Sequence, residues 1–268
     1  MRAIARALEI ARSNLMEKLS AKPSVILPMK EEELVAPLKA WVSKKPTYGY
    51  RRISALLRRA LNQRVNHKKV YRLMKQEGLL LNRAPRKPTR SHDGVVVTAA
   101  NNNRWCSDAF SIQCENGDAV NIVFSIDSCD REAMSYIAST SGITAQNVRD
   151  LILESTEYRF GMPKAPKGIQ WLTDNGKCFT AKDTVAFARE LGFDVRTTPA
   201  YSPQSNGVAE AFVKTFKRDY VWFGDLSSAE SVIKQLPFWF EDYNNNAPHK
   251  GLGMKSPREF LNSLKLAS

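Results

Sequence analysis

Beyond residue 100 the sequence alternates in a fixed order between strand-like and helix-like segments, and that order leaves few folds open. Trp105–Ile112, Ala119–Ile126 and Ala133–Ser139 are β-branched and aromatic runs, and Glu115-Asn116-Gly117-Asp118 supplies a hairpin turn between the first two. Then come a helix over Thr144–Tyr158, a buried strand over Gly168–Thr173, a helix over Lys182–Leu191 stopped by Gly192, a strand over Phe193–Thr198 and a helix over Val208–Trp222. An antiparallel meander followed by parallel crossovers predicts an α/β fold: one mixed five-stranded sheet with helices on its faces.

The first hundred residues have another texture. Of 40 Lys+Arg and 27 Asp+Glu in the chain, residues 1–100 hold 22 and 7, which leaves 40 − 22 = 18 and 27 − 7 = 20 for the remainder. The net charge of +13 is therefore +15 in residues 1–100 and −2 beyond. A compact basic module ahead of a near-neutral one points to a polyanion-binding unit that delivers substrate to a second unit. Glu31 to Val42 suits a helix that Pro37 is expected to interrupt. Tyr48-Gly49-Tyr50-Arg51-Arg52 leads into a helix with Ile53, Leu56, Leu57 and Leu61 inward. Asn66 caps a third, with Val70, Leu73 and Met74 inward and Gly78 as its stop. The outer face of that third helix carries His67, Lys68, Lys69, Arg72, Lys75 and Gln76, the side chains that reach base edges and phosphates from a major groove.

Five segments follow: an N-terminal helical arm at 1–22 with the character of a partial helix-turn-helix, an all-α helix-turn-helix module at 30–82, a basic linker at 83–100, a catalytic core at 101–225 and a helical tail at 226–268. Cys106, Cys114, Cys129 and Cys178 form no CxxC pair and lie far in sequence from His67, His92 and His249, which argues against a structural zinc site. No apolar run suits a bilayer or a signal peptide, so the reading is of a reduced, cytoplasmic chain.

Three acids stand in settings that suit chemistry: Asp108 in Trp105-Cys106-Ser107-Asp108, Asp174 in Trp171-Leu172-Thr173-Asp174-Asn175-Gly176, and Glu210 closing Ser202-Pro203-Gln204-Ser205-Asn206-Gly207-Val208-Ala209-Glu210. Asp108 falls within the first strand, Asp174 just past the fourth and Glu210 in the first turn of a helix. Glu210, Lys214 and Lys217 share one face of that helix, opposite a core stripe of Val208, Phe212, Thr215 and Phe216. Cutting or joining phosphodiesters needs hard cations beside the reacting phosphate, and carboxylates on rigid supports suffice to hold them. Asp127, another strand-end carboxylate, is the rival for the first acid.

These segments closely resemble the retroviral-integrase-like DDE transposases, in which two Asp and a Glu with 35 residues between the second and third sit on a ribonuclease H-like fold. Here 210 − 174 − 1 = 35 residues lie between Asp174 and Glu210. Within that superfamily the chain resembles the second-frame (OrfB) transposases of insertion-sequence family three, of the insertion-sequence-two kind. Asp127-Ser128-Cys129-Asp130-Arg131-Glu132-Ala133, Phe212-Val213-Lys214-Thr215-Phe216-Lys217-Arg218-Asp219-Tyr220 and Ser256-Pro257-Arg258-Glu259-Phe260 carry the likeness beyond the acids. The resemblance implies that Asp108, Asp174 and Glu210 hold Mg²⁺ or Mn²⁺, two ions in all, and that Lys217 orients the DNA end. It implies a 3′ hydroxyl freed at one element end, attack beside the other end, and an excised circle that integrates. Lys214, Lys68, Lys69, Arg72, Lys75, Arg51 and Arg52 are the further DNA-contact candidates, and Asn175 and Asn206 are placed to assist. Expected partners are double-stranded DNA (terminal inverted repeats and target), further copies assembled on it, and an upstream-frame (OrfA) protein or fusion, all in the bacterial cytoplasm at the nucleoid. The competing readings are a ribonuclease H-like nuclease that only hydrolyses and a transposase-derived DNA-binding regulator. A retroviral-type integrase is disfavoured because no His/Cys zinc module is present.

Overall fold

The computed structural model describes residues 30–82, 98, 100–166, 168–198 and 206–266. The expected arm at 1–22, most of the linker and Ser202–Ser205 lie outside the described residues.

Three helices make the basic module: α1 (Glu31–Lys44), α2 (Tyr50–Leu61) and α3 (His67–Gln76). Leu34, Leu38, Ile53, Leu57, Val70 and Met74 are buried in its core. Burying each stabilises the module by roughly 1.5–3 kcal/mol before chain entropy is counted. Asn66 caps α3, its side chain accepting from Lys68 N at 2.9 Å, and Gly78 follows the helix with φ +66°. Pro37 does not interrupt α1. The bond it forfeits would have gone to the carbonyl of Glu33, an exposed residue that water can reach, while Leu34 and Leu38 hold both sides of the proline in the core.

Five strands follow: β1 (Arg104–Gln113), β2 (Ala119–Asp127), β3 (Ala133–Ser139), β4 (Ile169–Thr173) and β5 (Phe193–Thr197). Their spatial order is β3-β2-β1-β4-β5, with β1/β2 and β2/β3 antiparallel and β1/β4 and β4/β5 parallel. This is the ribonuclease H-like arrangement expected of the element order. The helices are α4 (Ala145–Phe160), α5 (Lys177–Thr180), α6 (Lys182–Glu190), α7 (Gly207–Asp219), α8 (Ala229–Asn246) and α9 (Pro257–Lys265). The turn of α5, just after Asp174-Asn175-Gly176, is too short to leave a periodic signal in sequence.

Side chains alternate across the sheet and divide the core in two. Cys106, Phe110, Ile112, Ile122, Phe124 and Leu172 face α7 and α8. Trp105, Val123, Ile169 and Trp171 face the other way, toward α4 and α6. The segment beyond residue 225, read from sequence as a tail, is integral to this packing: Val232, Leu236, Phe240 and Tyr243 of α8 lie in the same cluster as Phe212 and Phe216 of α7. Phe240 sits 4.0 Å from Tyr136 and 4.6 Å from Phe216, centroid to centroid.

The basic module is fastened to this body through charged contacts. Arg52 Nη1 lies 2.8 Å from Asp219 Oδ2, at the end of α7, and Thr47 Oγ1 donates to Asp219 Oδ1 at 2.5 Å. Lys45 pairs with Asp242 at 2.5 Å and Arg59 with Glu259. Arg52, a DNA-contact candidate by sequence, thus has its Nη1 paired with Asp219 at the junction of the two domains, with 17% of its side chain exposed. Its partner is distant in sequence, so this pairing left no local signal.

Candidate active site

Parallel pairing of β1 with β4 sets Cys106 beside Leu172. Two residues further along each strand direction stand Asp108 and Asp174. Because side chains repeat every second residue, both acids continue the Cys106/Leu172 face, the one covered by α7. Glu210 enters from that covering helix, one residue after buried Ala209. All three acids are half-buried, at the edge of the core and open to one side. The Asp108 carboxylate accepts from Ala109 N at 2.8 Å, and Asp174 from Gly176 N at 2.9 Å.

Burial pushes the Asp108 carboxyl up to about 6, and the negative charges of Asp174 and Glu210 push the same way against the Ala109 N–H. The three acids therefore feel one another. Because the folded-state value exceeds the ordinary 3.8, the fold gains from a protonated Asp108 at low pH and loses that gain as pH rises through about 6. Metal-free Asp108→Asn is accordingly expected to melt higher than wild type at pH 8, by on the order of 1 kcal/mol after allowing for solvent screening, and level with it near pH 4. Equal melting curves at both pH values would show that Asp108 is not held above its ordinary range.

Gly176 protects the second acid. A Cβ there would stand 3.0 Å from Asp174 Oδ1 and 3.3 Å from the Phe179 ring, although the backbone angle itself would accept alanine. Gly176→Ala is expected to displace the Asp174 carboxylate, cutting DNA processing on the order of tenfold or more while global stability changes by under about 1 kcal/mol. Unchanged turnover in a folded Gly176→Ala protein would mean that the loop takes up the methyl without moving the Asp174 carboxylate.

Other polar groups hold the frame. Ser107, fully buried, accepts from Trp171 Nε1 at 2.8 Å, and its carbonyl accepts from Asn206 Nδ2 at 3.3 Å, tying the start of α7 to β1 beside Asp108. Asn175 donates to the Thr198 carbonyl at 2.9 Å, which fastens the Asp174 loop to the end of β5. The supporting part of Ser107 left no signal in sequence, since its partners come from β4 and α7. Asp127 takes no part in the site. It is fully buried opposite Trp105, and it accepts from the amides of Asn102, Cys129 and Asp130.

Of the cationic candidates, Lys214 reaches Glu210 at 3.4 Å, and Lys217 lies 5.5 Å from the centre of the Phe110 ring. Both share the Glu210 face of α7. Lys68, Lys75, Arg51 and Arg72 are exposed on the basic module, Lys69 is half-buried there, and Arg72 pairs with Glu31. The structure places these residues on the module and not beside the acids.

Among the described residues, no three His, Cys, Asp or Glu side chains are drawn together closely enough to hold a metal ion by themselves. The donor chemistry nevertheless fits Mg²⁺: oxygen donors only, with mutual repulsion at Asp108 that a cation relieves. Mg²⁺ is commonly held by one or two carboxylates together with substrate phosphates and water. No described helix is long and apolar enough to cross a membrane.

A mixed five-stranded sheet of this order, with Asp108 on β1, Asp174 just past β4 and Glu210 on the covering helix, preceded by a three-helix module, has the architecture of the integrase-core class of DNA-processing enzymes. Residues 29–88 match an HTH-like domain, and residues 98–203 and 191–257 match integrase core domains. The chain is 45% identical over 228 residues to the transposase InsD of insertion element IS2A/D/F/H/I/K of Escherichia coli, an alignment covering 82% of this chain and 75% of that relative. The InsD transposase of element IS2-9 from strain K12 is equally similar, with 74% of its length covered. In fold, the chain is similar to a chain of the simian T-cell lymphotropic virus intasome complex with PP2A regulatory subunit B56 gamma, at TM-score 0.50 and 14% identity, covering 84% of this chain and 73% of that one. This chain belongs to the InsD transposases, the second-frame (OrfB) type of insertion-sequence family three.

Proposed function

We propose that this transposase cleaves the ends of an insertion sequence to 3′ hydroxyls and joins them to new DNA, using divalent cations held by Asp108, Asp174 and Glu210. The observation that carries the reading is the approach of the three acids: the β1/β4 pairing ends at Cys106 and Leu172, two residues before Asp108 and Asp174, and the Asp108 carboxyl feels the charges of both Asp174 and Glu210. Two bound Mg²⁺ or Mn²⁺ ions would supply Lewis-acid stabilisation of charge at the phosphate and would lower the pKa of the attacking hydroxyl or water. The protein positions the rest. Lys214 and Lys217 lie along α7 from Glu210, where they would meet the backbone of a strand leaving the site. Asn206 and Asn175 keep the two acid-bearing segments in place through Ser107 and Thr198.

The division of labour follows the chain. Residues 30–82 grip duplex DNA through Lys68, Lys69, Arg72, Lys75 and Arg51, and residues 101–225 carry out the chemistry on α8's support. Two element ends meet in one reaction, so the working form is a homo-oligomer assembled on terminal-repeat and target DNA, with an upstream-frame (OrfA) protein or fusion as partner, in the bacterial cytoplasm at the nucleoid. The reading is tested by placing the gene, with any upstream frame fused, beside its natural flanking DNA on a plasmid and amplifying across abutted ends. End-to-end junctions are the expected product. Nicked ends without junctions would reduce the protein to a nuclease, and specific binding to the flanks without either product to a regulator.

A further inference from the structure

A cavity of about 380 Å³ opens where the helix-turn-helix module meets the far end of α7, away from the acids. Thr47 and Arg52 line it from the module, Thr215 and Arg218 from α7, and His249 and Lys250 from the segment after α8. Its charge is one-sided. Asp219 is held by Arg52 at 2.8 Å, by Arg218 at 2.6 Å and by the Thr47 hydroxyl, so two arginines and Lys250 stand against one carboxylate. An ion pair built only to join two domains needs one arginine; the second leaves an excess of positive charge facing the cavity. His249 reports the same field. Burial first, then the Arg52 and Arg131 charges, hold its imidazole down to about 4, and its Nε2 is buried without a hydrogen-bond partner. The wall is completed by the start of α2, where Gly49 offers no side-chain cap to the first-turn amides.

The position relative to the acids is set by one helix. Arg218 follows Glu210 by 218 − 210 = 8 residues, and at about 1.5 Å per residue it stands about 12 Å further along α7. Lys214 and Lys217 lie between them on the Glu210 face. Successive phosphates of one duplex strand advance about 3.4 Å along the axis, so this span is about three to four nucleotides.

We propose that the cavity between Arg52, Arg218, His249 and Lys250 seats one backbone phosphate of the bound DNA, about three to four nucleotides from the phosphate that reacts at the acids. The inference rests on the DNA-joining function proposed above. It makes the module and the catalytic sheet joint owners of one phosphate, so that correct seating of the DNA end also fixes the angle between the domain that binds and the domain that cuts. Free phosphate has the same chemistry as a ligand, and the test separates the two.

Duplexes of the natural flanking sequence, each with a single neutral methylphosphonate at one position, are titrated against the full chain, Lys250→Glu and Arg218→Gln. Lys234→Ala, on the outer face of α8, is the control. One position near the third or fourth nucleotide is expected to weaken wild type and the control about three- to tenfold, and the two cavity variants less than about twofold. Lys250→Glu is also expected to lower the slope of log affinity against log salt by about one or more. If wild type binds and joins DNA yet no position separates it from the cavity variants, the proposal fails and the function stands. Inorganic phosphate that shifts the His249 ring resonances at micromolar concentration, with no position-specific effect in DNA, would make the cavity a free-phosphate site. If wild type neither binds nor joins DNA, the proposed function falls and the inference with it.

Discussion

Glu210→Gln is expected to bind element-end DNA as well as wild type does, or up to about twofold more tightly, and to lose end cleavage and joining by on the order of 10³-fold or more. The substitution keeps shape. Glu210 is 39% exposed in its side chain and pairs with Lys214 at 3.4 Å, a contact that a glutamine carbonyl oxygen still accepts. A surface pair of this kind contributes little, so folding stability should move by less than about 0.5 kcal/mol. What disappears is a charged oxygen donor beside two others. In metal-free buffer, where the isotherms are taken, removing one negative charge from a surface that meets phosphates does not weaken binding electrostatically, so chemistry and affinity separate. Binding isotherms, a melting curve and a strand-transfer gel on one preparation are the measurements. A folded Glu210→Gln protein that joins DNA at the wild-type rate would sink the site assignment.

The second large effect lies away from the acids. Arg159→Ala is expected to destabilise the fold by about 3–5 kcal/mol, because it strands carboxylates that are already out of water. The Arg159 guanidinium contacts Asp130, lies 2.5 Å from Glu132 and 3.8 Å from Asp127, and donates to Asn102 Oδ1 at 2.8 Å. It is 6% exposed in its side chain, and the three carboxylates are at most 3% exposed. Arg258, from α9, reaches Glu132 at 3.1 Å and Glu241 at 2.5 Å but does not replace the lost cation at Asp127 and Asp130. Burial and the neighbouring Asp127 charge already raise the Asp130 carboxyl above its ordinary range, against the pull of Arg159. A raised folded-state value favours the fold at low pH and loses that advantage as pH rises through it. The penalty of Arg159→Ala should therefore be larger at pH 8 than at pH 5, and Arg159→Lys, which keeps the charge without the fork, should fall between the two proteins. A penalty below about 1 kcal/mol at pH 8 would mean that water enters the network and screens it.

This network also explains what separates Asp127 from Asp108. Both are strand-borne acids in the same stretch of sequence, and composition does not distinguish them. Asp127 ends β2, where the chain turns back and presents amides to its side chain, whereas Asp108 lies within β1 with its carboxylate at the open edge of the core. Arg52 and Lys75 differ in the same way. Each is a cation on a helix of a basic module, yet Arg52 meets the buried Asp219 contributed from 167 residues away, and Lys75 meets solvent.

The period of apolar residues, the Asn66 cap, the Gly78 stop and the hairpin turn at Asn116-Gly117 act over a few residues, so the chain alone determined the element order, the mixed sheet and the settings of Asp108, Asp174 and Glu210. Local order is written in local chemistry. The in-register pairing of β1 with β4, the folding of α8 into the catalytic core, the continuity of α1 through Pro37, and the fates of Arg52 and Asp127 depend on partners up to 196 positions away. Those were decided only when the sheet closed, because the free energy of burying a charge or seating a strand depends on what the rest of the chain brings beside it.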